Sequence, residues 1–177
     1  ASEPETIVDH LQPFAMVGPL VQQQVVRTRY AGVIDNAAGG AHQGQGEPTT
    51  RSALLRSITP AAARALARFL DTGAHFFFQI RAMGGAIGDV DADATAFAHR
   101  DAGFSVTAFG MDRTRLDAAW DTLLAPHATG LYLSFETDQR PGRLEEAFPP
   151  ATLARLRALK AEVDPENLFR DNFNVVA

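Results

Sequence analysis

The chain has 177 residues, a formal net charge of −5 and no cysteine. That length supports one domain with its own core, and the negative balance argues against a broad phosphate-binding face, so no nucleic-acid partner is expected. The missing cysteines exclude disulfides, thiolate metal sites, a cysteine nucleophile and a cysteinyl link to a cofactor.

Ser2 and Glu5 form an S-x-x-E capping box, and Ile7, Val8 and Leu11 follow at helical spacing. A short first helix is predicted, closed by Pro13. Residues 20–34 fit helix and strand equally well, and 36–50 have the Gly, Asn and Pro content of a long loop. "RSALLRSI" reads as a strand. Thr59 and Pro60 then start a helix that carries Leu66, Phe69 and Leu70 on one side and ends at Gly73. In the strand predicted at 75–81, Phe76, Phe78 and Ile80 share one face; His75, Phe77, Gln79 and Arg81 share the other. Gly84 and Gly85 mark a bend. A strand at 104–110 precedes a helix capped by Asp112, with Leu116, Trp120, Leu123 and Leu124 facing inward.

A third alternating strand is predicted at 130–136. Leu131, Leu133 and Phe135 face one way; Tyr132, Ser134 and Glu136 face the other. The last helix spans about 151–163 and places Leu153, Leu156, Leu159 and Val163 within one arc. Asp164 and Pro165 stop it, and "DPEN" fits a type I turn. The whole predicts a single α+β domain over 1–177, a largely antiparallel sheet with helices on one face. Its other face carries Gln79, Arg81, Thr107, Tyr132 and Ser134, which suits either solvent or the floor of a site.

No nucleophile elbow, zinc-protease helix, P-loop or dinucleotide-binding glycine fingerprint is present. The five histidines, at 10, 42, 75, 99 and 127, lack metal-ligand spacing, so no metal site is expected. Arg100 is expected to pair with Asp101 or Asp89. Tyr132 is one of two tyrosines and sits on the polar face of its predicted strand. A phenol there can hydrogen-bond a substrate hydroxyl or take its proton. The residues alone equally allow a half-buried Tyr with a structural hydrogen bond. No run of about 18 apolar residues predicts a membrane span. No basic-then-apolar leader is seen, and cytoplasm is the default compartment.

Two stretches together resemble one family. "GGAIGDVDADATAFAHRDAGFSVTAFG" and "LARLRALKAEVDPENLFRDNFNV" are similar to segments of FAD-linked oxidoreductases of the berberine bridge enzyme type, within the vanillyl-alcohol-oxidase-type flavoproteins. "GLYLSFETD" lies between them, where that family has a Y-x-N strand. The match covers about Leu54 to Val176. The resemblance implies an incomplete substrate domain, with 151–177 as the C-terminal helix and tail, and FAD held mainly by an FAD-binding domain that these 177 residues do not contain. It implies hydride transfer from an alcohol, sugar or other secondary metabolite to flavin, and no turnover by this chain alone. By the same resemblance Tyr132 is the catalytic candidate, a general base. Asn172 and Asn174 match amides near the flavin, and His99-Arg100 match a structural or domain-contacting pair. Leu168 and Phe169 would pin the turn to the domain. Ser134 replaces the family's Asn, and Val106 and Ala108 stand where plant members carry Lys and Gln. Gln79, Thr107, Phe109 and Ser134 are then the candidate substrate contacts. The alternative is a non-catalytic binding or self-associating module derived from the same scaffold, with a homo-oligomer covering its exposed apolar surface.

Overall fold

The computed structural model describes residues 3–19, 22–23, 26, 28–29, 31–32, 47–170 and 172–176. They fall in two units, 1–44 and 45–177. In the first, helix α1 spans Pro4–Ala15. Glu3 is its N-cap, without a side-chain capping bond. Ser2, half of the expected capping box, lies outside the described residues. The helix does not stop before Pro13 but includes it near its end, where only one internal hydrogen bond is lost.

The second unit is built on three strands: β1 (Thr49–Leu55), β2 (Phe77–Ala82) and β3 (Phe104–Gly110). β3 is central, and both neighbours pair with it antiparallel. β1 and β2 therefore run parallel, and helix α2 (Pro60–Asp71) is the crossover between them. Thr59 caps α2 through its hydroxyl, which accepts from the Ala62 N–H at 3.2 Å, and Pro60 follows at the first helical position. Helix α3 (Arg113–Leu123) starts where the Asp112 carboxylate accepts from the Arg115 N–H at 3.0 Å. This is the α+β arrangement expected, with helices on one face of the sheet.

Register decides which side chains meet those helices. Ala53 and Leu55 of β1 lie level with Val106 and Phe104 of β3, and Phe78 of β2 lies level with Ala108. These residues pack against Leu66 and Phe69 of α2 and Leu116 and Trp120 of α3. Phe69 and Trp120 meet edge to face at 5.8 Å between centroids, a favoured aromatic geometry. Val106 and Ala108 are fully buried on this side. Ile80 shares that face of β2 yet stays 43% exposed, at the sheet's edge.

One charged residue enters the same side. Arg51 is opposite Ala108 and its side chain is fully buried. It donates to Glu136 at 2.8 Å and pairs with Asp117, while Asp138 lies at 3.8 Å. Arg140 and Arg143 reach Asp138 at 2.6 and 2.9 Å, and Arg140 also clamps Asp121 with two bonds of 2.7 and 3.0 Å. Burial pushes the Glu136 carboxyl up, against the backbone N–H of Asp138 and the Arg51 charge. Burial pushes Asp138 up too, but its bonds from Arg140 and the charges of Arg51 and Arg143 outweigh this and hold it below the usual range. The Arg140 hydrogen bond lowers Asp121.

The expected strand at 130–136 does not form. Gly130 makes a single bridge with Leu54, and Leu133–Phe135 is a 3-10 turn. The segment nevertheless occupies a fourth strand's place beside β1. Leu54 exchanges backbone bonds with Gly130 and Thr129, both at 2.7 Å, and the Thr50 carbonyl accepts from Thr137 at 3.2 Å. Between those ends the free edge of β1 is met by side chains. The Thr137 hydroxyl accepts from the Thr50 N–H at 2.9 Å and the Glu136 carboxylate from the Ser52 N–H at 3.2 Å. Glu136 was expected on the polar face with Tyr132 and Ser134. It turns inward because Arg51 and these edge N–H groups need a buried acceptor. Gly130 also permits a close approach: a Cβ there would lie 2.3 Å from the His99 ring.

The chain closes through helix α4 (Arg143–Ala147) and helix α5 (Pro150–Val163). Of the arc expected to be apolar and inward on α5, Leu153 is buried, whereas Leu159 and Val163 are 52% and 67% exposed. The turn after α5 is held by Asp164. Its carboxylate accepts from the Leu168 and Phe169 N–H groups at 2.8 and 3.1 Å and pairs with Lys160. Lys160 also donates to the Phe169 carbonyl at 2.6 Å. Asp164 and Asn167, the latter at φ 52°, thus account for the D-P-x-N-L-F pattern by hydrogen bonding. Leu168 and Phe169 do not pin the turn: they are 72% and 84% exposed. Among the described residues no helix is long and apolar enough to cross a membrane.

Candidate active site

The face of the sheet turned away from α2 and α3 is semi-polar. Ser52, Thr107 and Gln79 lie level across the three strands, followed by a row of Leu54, Ser105 and Arg81. Thr107 and Ser52 are each only 3% exposed. At one end Phe109 packs against Phe77 and Phe76, with centroids 5.3 and 6.3 Å apart. At the other end lies a cleft of about 370 Å³, lined by Leu54, Arg81, Phe97, Ser105, Tyr132 and Phe135 among others.

Tyr132 is positioned by its backbone, which donates to the Ser52 hydroxyl at 3.0 Å. It precedes the 3-10 turn and is 40% exposed. Its ring stands edge-on to Phe97 and Phe135, at 6.1 and 5.8 Å. Guanidiniums close both ends of this aromatic row. Arg81 stacks on Phe135 and Arg100 on Phe97, each 5.1 Å from the ring centroid. Arg100 does not pair with Asp101 or Asp89. It donates to the Thr95 hydroxyl at 2.7 Å and the Ile87 carbonyl at 3.3 Å, while Asp101 binds Arg56. His99 faces away from the cleft, its Nε2 within 3.1 and 3.0 Å of the Glu146 and Ala147 carbonyls. It ties α4 to the Gly130 turn, a structural role. Gly84 and Gly85, at φ 144° and 52°, make the expected bend beside the cleft.

Of the residues singled out from the sequence, only Tyr132 lines this cleft. Gln79 and Thr107 share its sheet face one row away, and Phe109 lies one row further. Ser134 is exposed in the 3-10 turn and is not part of the lining. Asn172 and Asn174 lie elsewhere, on a depression of about 300 Å³ shared with Arg140, Gly142, Arg143 and Leu144. Asn172 is left-handed, at φ 55°. The amide oxygen of Asn174 is buried without a hydrogen-bond partner among the described residues. Sequence reading missed Phe97 and Arg81 as cleft residues. The period-2 alternation put Arg81 on the correct face, which was the available signal. Phe97 lies in a loop, where no periodicity applies.

Residues 132–176 match the family model described as berberine and berberine like. An uncharacterized FAD-linked oxidoreductase of Bacillus subtilis, YvdP, is 36% identical over 107 residues, which are 56% of this chain and 23% of that protein. Among solved structures, chitooligosaccharide oxidase matches with a TM-score of 0.76 at 19% identity, over 99% of this chain and 44% of that one. The 6-hydroxy-D-nicotine oxidase of Arthrobacter nicotinovorans matches with a TM-score of 0.73 at 20% identity, over 98% and 42%. A glycopeptide hexose oxidase solved with teicoplanin matches with a TM-score of 0.72 at 19% identity, over 100% and 42%. The chain thus spans less than half the length of these proteins. Its fold is that of the matching part of these proteins, and residues 132–176 are similar to the berberine and berberine-like family.

Proposed function

We propose that this chain is the substrate-binding and C-terminal portion of an FAD-dependent oxidoreductase that oxidises an alcohol, sugar or secondary metabolite. The observation that carries the reading is the cleft on the face turned away from α2 and α3, with Tyr132 in its aromatic wall. A volume of about 370 Å³ suits a small metabolite. The structural relatives are named for chitooligosaccharide, glycopeptide hexose and 6-hydroxy-D-nicotine, so their names point to sugars and small heterocycles.

The described residues fit one end of the cofactor. Phe97, Tyr132 and Phe135 offer an aromatic wall, and Asn174, on a separate depression, has an amide oxygen without a partner among the described residues. Gly84 and Gly85 open only a three-residue 3-10 turn, not a helix N-terminus able to hold a pyrophosphate. An FAD-binding domain beyond this chain would hold the rest. Bound flavin would supply the two-electron acceptor for a hydride leaving the substrate carbon. Tyr132 takes the proton of the substrate hydroxyl. Gln79 and Thr107 extend the polar floor beneath a longer substrate, and Phe109 borders its far end. Ser134 would meet it only at the rim. The test is flavin absorbance of the natural protein that contains this chain, purified without added cofactor. Flavin bands are expected, and a protein that neither carries nor takes up FAD would rule the reading out.

A second reading, a self-associating module without catalysis, is favoured by the exposure of Leu159, Val163, Leu168 and Phe169. Analytical ultracentrifugation separates the two. A dimer dispersed by Leu159→Glu, in a protein without flavin, would support the module; a flavin-bearing monomer would exclude it.

A further inference from the structure

Arg81 is the only charged side chain among the nine residues lining the Tyr132 cleft. Its guanidinium stacks on Phe135 at 5.1 Å, and among the described residues it makes no ion pair and no side-chain hydrogen bond. Stacking leaves the edge of the guanidinium, with its N–H fork, free to bind in the plane. Ser105 is its cross-strand partner on the same face and brings a hydroxyl-bearing side chain to the same cleft. Leu54, Ala82, Met83, Ile87 and Phe97 make the rest of the wall largely apolar. A planar cation over an aromatic ring, lining an apolar cleft that also carries a serine, is complementary to a carboxylate carried on an apolar or ring-shaped body.

We infer that the cleft selects substrates bearing a carboxylate, which Arg81 binds with Ser105 beside it while the reacting hydroxyl faces Tyr132. The inference rests on the cleft being the substrate site. It adds that the substrate is an acid, and it makes Arg81 a specificity residue. A charge-assisted bond of this kind corresponds to about a ten- to hundredfold gain in affinity.

NMR titration of the whole chain with benzoate and with its uncharged isostere benzamide tests this. Benzoate is expected to bind at least about tenfold more tightly, with shifts at Arg81, Ser105 and Tyr132. Arg81→Met should abolish the preference without altering benzamide binding, and an unchanged amide spectrum elsewhere shows that the variant is folded. Arg81→Lys, which keeps the charge but not the fork, should restore part of the preference. Equal affinities, no binding of benzoate, or a preference that survives Arg81→Met would each overturn the inference. Flavin absorbance is read separately. A benzoate preference in a protein that never holds flavin would leave this acid site standing and remove the proposed reaction.

Discussion

Arg51 and Arg81 stand on opposite faces of one three-stranded sheet, and they are treated in opposite ways. Arg51 points toward the helices, is fully enclosed and meets Glu136, Asp117 and Asp138. Arg81 points away from them, among the described residues stacks on the Phe135 ring without an ion pair, and lines a cleft. A buried cation must be paired, because the desolvation penalty is otherwise uncompensated. A cation at the surface of a cleft can remain unpaired, because water serves it until a ligand arrives. The helix-facing side therefore holds the fold together and the open side is available for chemistry.

The sharpest way to break that contrast is to remove both charges in turn. Arg51→Met should cost about 3–5 kcal/mol in denaturant unfolding, because it leaves Glu136 buried without its cation. Arg81→Met should change stability by less than about 0.5 kcal/mol. Comparable losses at both positions would end the distinction. A smaller effect is expected at Gly130→Ala. The added Cβ would collide with His99 and displace it from the α4 carbonyls, costing about 1–3 kcal/mol in the same measurement.

The ion network also predicts a pH dependence. Asp138 and Asp121 have lowered folded values. Their contribution is complete above the unfolded aspartate value, near pH 4, and is lost as pH falls through the folded one. Glu136, raised by burial, works with the opposite sign. Denaturant midpoints should thus fall below about pH 4, and fall less steeply in Asp138→Asn. The smallest effect is local. Asp164→Ala should speed hydrogen exchange at the Leu168 and Phe169 amides, which lose their acceptor, without moving the global transition by denaturant.

Much of this frame is legible in residue order. Thr59-Pro60 and Asp112 begin helices where capping chemistry requires, and the alternation in 104–110 marks a strand whose two faces differ. The segment 130–136 alternates just as sharply and is not a strand. Its partners on the β1 edge include the Thr137 and Glu136 side chains, and local periodicity does not report such a substitution. Arg51 escaped notice because its acids lie 66 and 85 residues away in sequence. The D-P-x-N-L-F turn was legible as a turn, but not its mechanism. Its apolar residues suggested packing, whereas the Asp164 carboxylate holds it and Leu168 and Phe169 stay exposed. Tyr132 was found as a residue type on the wrong kind of backbone. Phe97, which builds the cleft around it, comes from a loop with no pattern to read.

We propose that Tyr132 takes the substrate proton in a flavin-dependent oxidation. Stopped-flow flavin reduction under anaerobic conditions tests this, in a flavin-loaded protein that contains this chain and in its Tyr132→Phe variant. A fall of about 10²–10⁴ in the reduction rate is expected, with flavin still bound. An unchanged rate would contradict it.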